Sequence, residues 1–290
     1  MRSLEDYHPR AVGLYFLAVT GIAVFSMNPV IVAESLLGSL VLYLVRHGLR
    51  NGRTHLATLG LFLVLTLVNP VVSHNGVTPL FVVNHNPVTL EALLVGAFTA
   101  AMITATIWWF RSFSEIMTSD KLLCLFGALS PKLALVFSMA LRYVPHFRRQ
   151  SERVNAAQRA MGLYKEGNIV DAAKGGGRVF SILLTWALEN GIITADSMAA
   201  RGYGLGRRTS YTIFRFRRRD AVFLALSVTL AALTIAGSFR LVSSYYPVFR
   251  VEVPDLWASA GLAAYGILAL LPAIIEIKEA IRWRWYLSKI

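Results

Sequence analysis

The sequence predicts an all-α fold: a polytopic α-helical membrane protein of about six spans that also carries a cytoplasmic helical domain. Of its 290 residues, 56% are hydrophobic, and the mean hydropathy of +0.55 is too high for an ordinary soluble domain. Several apolar runs approach or reach the roughly 20 residues that a helix needs to cross a bilayer. The basic residues, which bring the net charge to +13, are concentrated between these runs.

Six segments are predicted to span the membrane. Glu5 and Asp6 precede the first of them, and these charges argue against a cleavable signal peptide. The first two segments are short for a membrane span, and Asn28 and Pro29 lie where one ends and the next begins. The predicted spans are residues 11–27, 30–45, 56–72, 90–110, 221–239 and 256–275.

The distribution of basic residues predicts the orientation of these spans. The short linker after the second span is basic, and the loop 73–89 has no Lys or Arg, so the linker is expected in the cytoplasm and the loop outside. Both termini of a six-span chain are then cytoplasmic. This predicted orientation depends on the basic residues Arg46, His47, Arg50 and Arg53 in the linker and Lys278, Arg282, Arg284 and Lys289 in the tail.

The run 122–144 is also apolar, but it is not predicted to cross the membrane. Pro131 and Lys132 interrupt it, and a span there would place the many arginines that follow it outside. The predicted division is therefore 1–120 for the first four spans, 121–219 for a cytoplasmic helical domain, and 220–290 for the last two spans and the basic tail.

Two long helices are predicted in this domain. The first covers 133–161, and the second begins near Val170, with the three glycines 175–177 loosening its start or forming a turn. The second helix carries a stripe of apolar or small residues at helical spacing, expected to pack on another helix or on the membrane surface. The stripe consists of Phe180, Leu183, Leu184, Ala187, Gly191, Ala195 and Met198.

No catalytic, metal or cofactor site is predicted. The stretch "AKGGGR" around Lys174 is not a phosphate-binding loop, because its lysine precedes the glycines and no Ser or Thr follows. Cys124 is the lone cysteine, so no intramolecular disulfide or cysteine-based metal cluster is expected. His74 and His85 are expected to be polar loop residues. Glu34 and Glu91, near span ends, are expected to be solvated or to cap helices.

Four stretches, in order along the chain, resemble one family. They are "NPVVSHNGVTPLF" from Asn69, "NPVTLEALLVG" from Asn86, "SPKLALVFSMALRYVP" from Ser130 and "AARGYGLGRRT" from Ala199. Together they resemble the transmembrane T component of energy-coupling factor transporters, of the EcfT and CbiQ type. The resemblance extends from about residue 7 to residue 212 and so covers most of the chain.

The resemblance implies a non-catalytic scaffold in the cell membrane. Its implied partners are two ABC-type ATPase subunits, a substrate-binding membrane protein called the S component, and the lipid bilayer, with no cofactor and no nucleic acid. In such importers two coupling helices each end in an Ala-Arg-Gly type motif that docks on one ATPase. ATP-driven motion of the ATPases then moves the S component, which delivers a vitamin or a transition-metal ion.

The resemblance assigns one coupling motif that fits the family pattern and one that departs from it. The second motif is Ala200, Arg201 and Gly202, where an arginine at a helix end can offer several donors to a partner. In the first, Ala160, Met161 and Gly162, methionine replaces the arginine. Arg159 lies about 200° around the helix from Met161, so it is not assumed to substitute, and a more apolar dock is expected.

Two other classes of function remain open at this point. A self-sufficient secondary transporter or channel needs buried ionisable groups or broken spans near the membrane centre, and these are mostly missing from the sequence. A membrane enzyme needs a nucleophile, an acid–base pair or a metal site near the membrane face, and none is convincing. The substrate is not predicted.

Overall fold

A computed structural model of the chain describes residues 3–26, 28–48, 52–72, 76–83, 86–163, 169–206, 214–239, 243–244, 250–251 and 254–287. These residues form a short 3-10 helix at Ser3–Asp6, nine α-helices and two small antiparallel hairpins. The helices are α1 Pro9–Phe25, α2 Pro29–His47, α3 Gly52–Val72, α4 Leu90–Ile116, α5 Ser119–Leu129, α6 Pro131–Ala160, α7 Ile169–Ala200, α8 Arg218–Ser238 and α9 Leu256–Leu287. The strands are β1 Pro79–Val83, β2 Asn86–Thr89, β3 Ser243–Ser244 and β4 Arg250–Val251.

The chain divides into two compact units. Residues 1–122 and 214–290 form one, called here the membrane unit, and residues 123–213 form the other, called here the helical unit. The membrane unit contains α1 to α4, α8 and α9, and the helical unit contains α6 and α7.

The helices confirm an all-α, polytopic membrane protein. Among the described residues, five helices are long and apolar enough to cross a bilayer, namely α2, α3, α4, α8 and α9. The sixth predicted span corresponds to α1, a shorter apolar helix of 17 residues, about 26 Å long. Val12, Tyr15 and Val19 of α1 are fully buried, whereas Leu17 is 74% exposed, so one face of this helix packs against its neighbours.

Polar residues at the helix starts explain where the spans begin. Asn28 precedes Pro29 of α2, and its side-chain oxygen accepts a hydrogen bond from the N–H of Val30 at 3.0 Å. Thr89 caps α4 in the same way by accepting from the N–H of Ala92 at 3.3 Å. These caps satisfy N–H groups that have no partner within the helix.

Glycines allow close approach of the helices in the membrane unit. A Cβ added to Gly237 of α8 would lie 2.8 Å from the Cα of Gly261 of α9, which leaves no room for a side chain. Similarly, a Cβ at Gly96 of α4 would lie 2.6 Å from the carbonyl oxygen of Thr66 in α3. Small residues at such crossings are typical of helices that pack in a bilayer.

The glycines of α7 and the loop after α3 differ from the sequence prediction. The three glycines 175–177 neither form a turn nor interrupt α7, which is helical from Ile169; the helix formers on either side carry the backbone through them. The loop 73–89 contains the hairpin of β1 and β2, which was not predicted. His74 and His85 lie outside the described residues.

Candidate functional site

The helical unit is built around the crossing of α6 and α7. The hydroxyl groups of Tyr143 and Thr194 lie 2.9 Å apart, and the Tyr143 hydroxyl also lies 3.5 Å from the carbonyl oxygen of Asn190. One turn further along α6, Phe147 packs edge-on against Trp186 with ring centroids 5.6 Å apart. From Tyr143 to Phe147 the residue numbers rise along α6, whereas the contacted residues of α7 fall in number, from Thr194 to Trp186. The two helices are therefore antiparallel.

The face of α7 that meets α6 overlaps only partly with the predicted stripe, of which Met198 lines the groove between the two helices. The contacts come from Trp186, Asn190 and Thr194, which are spaced one turn apart. In contrast, Phe180 is 68% exposed and Leu184 is 51% exposed, although both belong to the predicted stripe. Across this contact the Tyr143 and Thr194 hydroxyl groups pair, and the Phe147 and Trp186 rings pack beside them.

Both helices end in the same hydrogen-bonded turn. At the end of α6, the N–H groups of Met161, Gly162 and Leu163 donate to carbonyl oxygens four, three and five residues earlier, at 3.1, 3.0 and 3.1 Å. At the end of α7, Arg201, Gly202 and Tyr203 repeat this pattern at 3.2, 3.0 and 3.0 Å. This is the Schellman arrangement, in which a left-handed glycine lets the last carbonyl groups find donors.

The glycine of each motif is required by the backbone. Gly162 has a φ of 68° and Gly202 a φ of 80°, both in the left-handed region. A side chain there would bring its Cβ against the following carbonyl oxygen. The two motifs predicted from the sequence therefore share one backbone geometry, and they differ in the side chain before the glycine, which is Met161 in one and Arg201 in the other.

The side chains at both helix ends are exposed. Met161 is 65% exposed, and Arg201 and Arg159 are also exposed. Leu205, in the turn after Arg201, is 90% exposed. Since exposed large apolar residues at a defined structural feature indicate an interaction site, these ends are suited to contact another protein. The antiparallel pairing places the two ends at opposite ends of the α6–α7 pair.

A groove lies along the crossing of α6 and α7 and extends to Arg201. It has a volume of about 540 Å³, and Arg142, His146 and Arg201 provide basic groups along it. Across the described parts of both units, His, Cys, Asp and Glu side chains form no group of three or more that could hold a metal ion.

Sequence reasoning missed a buried ionic cluster in the membrane unit, because Arg46 was considered only as an orientation signal. The Arg46 side chain is fully buried, and it pairs with Glu276 at 2.8 Å, Glu5 at 3.0 Å and Glu115 at 3.6 Å. His47 also lies 3.0 Å from Glu115. The cluster joins the 3-10 helix, α2, α4 and α9, which are far apart in sequence.

Lys121, in α5, lies near this cluster. Its side chain is 4% exposed, and its amine has no hydrogen-bond partner among the described residues. Burial lowers the pKa of this amine, while Glu5 and Asp6 partly oppose the shift.

The two acidic residues considered in the sequence analysis have different surroundings. Glu91, the second residue of α4, is 3% exposed and accepts hydrogen bonds from the hydroxyl of Thr78 at 2.8 Å and from its N–H at 3.3 Å. It therefore ties the preceding loop to the helix rather than being solvated. Glu34 lies inside α2 and therefore does not cap it; the residue is partly exposed, and its Oε2 atom is buried without a partner among the described residues.

Comparison with known proteins is consistent with the observed fold. A family model described as "Cobalt transport protein", CbiQ, matches residues 2–211. The energy-coupling factor transporter transmembrane protein EcfT of Lactobacillus helveticus is 31% identical over 36% of this chain and 38% of its own length. That of Lacticaseibacillus paracasei is 37% identical over 36% of this chain and 40% of its own length. The chain thus spans about two fifths of the length of these curated relatives.

Proposed function

Because the chain belongs to the cobalt transport protein family CbiQ, we propose that it is the transmembrane T component of an energy-coupling factor importer. In this role it is a non-catalytic scaffold of the cell membrane. It connects two ABC ATPase subunits to an S component that binds a vitamin or a transition-metal ion. The EcfT names of its relatives support this proposal.

The observation that carries the proposal is the shared geometry of the two helix ends. Two long antiparallel helices end in the same glycine turn, and each turn presents an exposed side chain, Met161 or Arg201. Two helix ends with the same backbone geometry suit docking on two related partners. Motion of the partners is then transmitted along the helices as far as the crossing at Tyr143.

The chemistry of the two docks differs. Arg201 offers a planar group of donors and a permanent positive charge, which suits a carboxylate or several carbonyl groups in the partner. Met161 offers a flexible apolar side chain, which suits an apolar pocket. We propose that the two ends bind ATPase grooves of different character, and that the end with Arg201 depends more strongly on electrostatics.

Affinity purification of the tagged chain from its native membranes in mild detergent tests this function. The unmodified chain is expected to recover ATPase subunits together with a small membrane protein. Arg201→Glu is expected to reduce ATPase recovery strongly, because it places a negative charge in a partner groove that is proposed to bind a positive one. Arg149→Glu is the matched control, since it reverses another exposed arginine in the same unit but outside both motifs.

The outcomes separate the proposed function from its main alternative. If Arg201→Glu and Arg149→Glu reduce ATPase recovery equally, the helix ends are not the docking elements. If the folded, abundant protein recovers no ATPase at all, the scaffold proposal fails and a self-sufficient transporter becomes the hypothesis to test.

A further inference from the structure

The starts of α1 and α8 lie side by side in the membrane unit. The N–H of His8, just before α1, donates to Oδ1 of Asp220 in the first turn of α8 at 3.2 Å. The ring centroids of Tyr7 and Phe223 are 5.1 Å apart, and those of His8 and Phe216 are 5.3 Å apart. Because α8 is long and apolar enough to cross a bilayer, this junction of the two helix starts lies at one membrane surface.

Four exposed arginines surround the junction. Arg10 is the second residue of α1, Arg215 and Arg217 lie just before α8, and Arg218 is its first residue. These four are called here the basic patch. In the described part of the chain, no ion pair joins any of them to an acidic side chain.

The other charged residues at the junction serve its internal packing. Arg219 donates to the carbonyl oxygen of Asp6 at 2.8 Å, and its guanidinium group lies 5.2 Å from the ring centroid of Tyr7. Asp220 is 1% exposed, and its carboxylate accepts from backbone N–H groups. The remaining acidic groups nearby are the exposed Asp6 and Glu279, whose charge acts on Tyr7. The basic patch therefore keeps a positive charge that faces outward.

The depth of the basic patch suits a lipid headgroup. Arg10 and Arg218 belong to the first turns of two apolar helices, so their side chains lie where the bilayer meets water. Phe216, beside them, is 51% exposed, and aromatic side chains are characteristic of this interface. Phosphate groups are the anions at this depth, and the planar guanidinium group of arginine binds phosphate through paired donors.

We propose that the basic patch binds the headgroup phosphate of an anionic phospholipid, with Phe216 inserted among the neighbouring headgroups. Basic residues next to a membrane helix attract anionic lipids, and each arginine contributes about fivefold in affinity. The inference does not depend on the proposed function, because it concerns only the membrane unit and the bilayer.

Lipid titration of the purified full chain in a neutral detergent tests the proposal. Native mass spectrometry measures the affinity of the tightest-bound lipid, with phosphatidylglycerol as the anionic probe and phosphatidylcholine as the neutral one. The unmodified chain is expected to bind phosphatidylglycerol more tightly. Arg10→Gln/Arg218→Gln is expected to weaken this binding about 25-fold, since it removes two arginines at about fivefold each, and to leave phosphatidylcholine binding unchanged.

The matched control is Arg149→Gln/Arg153→Gln, which removes the same charge from two exposed arginines of the helical unit. It is expected to retain the preference for phosphatidylglycerol. Equal affinity of the unmodified chain for both lipids overturns the proposal, and so does an equal loss in the two double variants, which would reflect net charge alone. Displacement of phosphatidylglycerol by millimolar inorganic phosphate would instead identify a site for free phosphate.

Thermal unfolding in lipid-free detergent separates lipid binding from a structural role. Arg219→Gln is expected to lower the melting temperature, because Arg219 holds the N-terminal segment through Asp6 and Tyr7. Arg10→Gln/Arg218→Gln is expected to leave it unchanged. An equal decrease in both would make the patch arginines structural and overturn the proposal. Arg215→Gln, which lies outside both helices, is a second binding variant, and it is expected to weaken phosphatidylglycerol binding about fivefold.

Discussion

At the scale of single residues, buried charge in the membrane unit converges on Arg46. Its side chain is fully buried and pairs with carboxylates from the 3-10 helix, α4 and α9. Removal of one partner from a buried ionic group is strongly destabilising, because the remaining charges lose their compensation. Arg46 therefore holds together elements that the chain connects only through long intervening segments.

Replacement of Arg46 by Met is expected to destabilise the protein by about 3–5 kcal/mol. The measurement is thermal unfolding of the detergent-solubilised chain. Arg148→Ala is the control, because its pair with Glu152 is exposed, with 84% of the Arg148 side chain accessible, and is expected to contribute less than about 1 kcal/mol. Similar effects for both variants would show that Arg46 is not a structural centre.

The buried amine of Lys121 is expected to make the stability of the folded protein depend on pH. Burial lowers the pKa of its amine in the folded protein below the ordinary value of 10.5. Between the lowered pKa and 10.5 the unfolded chain binds more protons than the folded chain, so stability rises with pH across this window. Below the window the amine is charged in both states, and the folded protein bears the full cost of burying that charge. The difference in melting temperature between the wild type and Lys121→Met should therefore change as the pH is raised towards 10.5. A constant difference would contradict this assignment.

Substitution of Gly202 is expected to reduce the local stability of the end of α7. Gly202→Ala forces a side chain into a left-handed backbone and is expected to cost about 1–2 kcal/mol at the end of α7. Hydrogen exchange of the amides of residues 201–203 should become about 5- to 30-fold faster. Gly191→Ala is the matched control, because Gly191 lies within α7 in open space and alanine there should slow exchange.

At the scale of elements, the crossing of α6 and α7 combines one polar contact with one aromatic contact. The Tyr143 and Thr194 hydroxyl groups meet beside the packed rings of Phe147 and Trp186. Many apolar residues of both helices remain exposed, among them Val144 at 64% and Leu188 at 63%. The register of the pair therefore depends on a short segment rather than on contact along the full helices.

Tyr143→Phe is expected to loosen this register by removing a hydrogen bond of about 1 kcal/mol while keeping the ring. Spin labels on exposed positions of α6 and α7, in a Cys124→Ser background, should show a broader distance distribution. Tyr286→Phe, at a half-exposed tyrosine of α9, is the control and should leave the distribution unchanged. An unchanged distribution in Tyr143→Phe would assign the register to the aromatic pair alone.

At the scale of the whole molecule, the described helices agree with a multi-pass membrane protein that also carries a compact helical unit. The membrane unit is discontinuous in sequence, since residues 123–213, which begin within α5 and end before α8, belong to the helical unit. Its closure depends on contacts between early and late segments. For example, the Tyr15 hydroxyl of α1 donates to the carbonyl oxygen of Leu268 at 2.9 Å, and the Tyr265 hydroxyl of α9 donates to that of Val19 at 3.1 Å.

Cysteine accessibility tests the proposed orientation. In a Cys124→Ser background, a cysteine at Val77 is expected to react with a membrane-impermeant maleimide added to intact cells. A cysteine at Arg153 should react only after the membrane is permeabilised, because the positive-inside rule places the basic segment in the cytoplasm. Reaction of both positions in intact cells would contradict the proposed topology.

The sequence by itself determined the helical class, the approximate spans and the two long helices of the helical unit, and the resemblance to one family pointed to the two glycine motifs at their ends. These features depend on local patterns: apolar runs, helical spacing and a glycine that ends each helix. The resemblance to one family added an expected function, and the match of the family model over residues 2–211 supports that family.

Only the tertiary structure decided which face of α7 meets α6, where Arg46 finds its carboxylates and why Glu34 differs from other acidic residues of the membrane unit. Arg46 and Glu276 are separated by 230 positions and Tyr143 and Thr194 by 51, so no local pattern could reveal either pair. A charge beside a predicted span has the same sequence signature whether it is solvated, paired or presented to a partner. The difference lies in the neighbours that folding places around it.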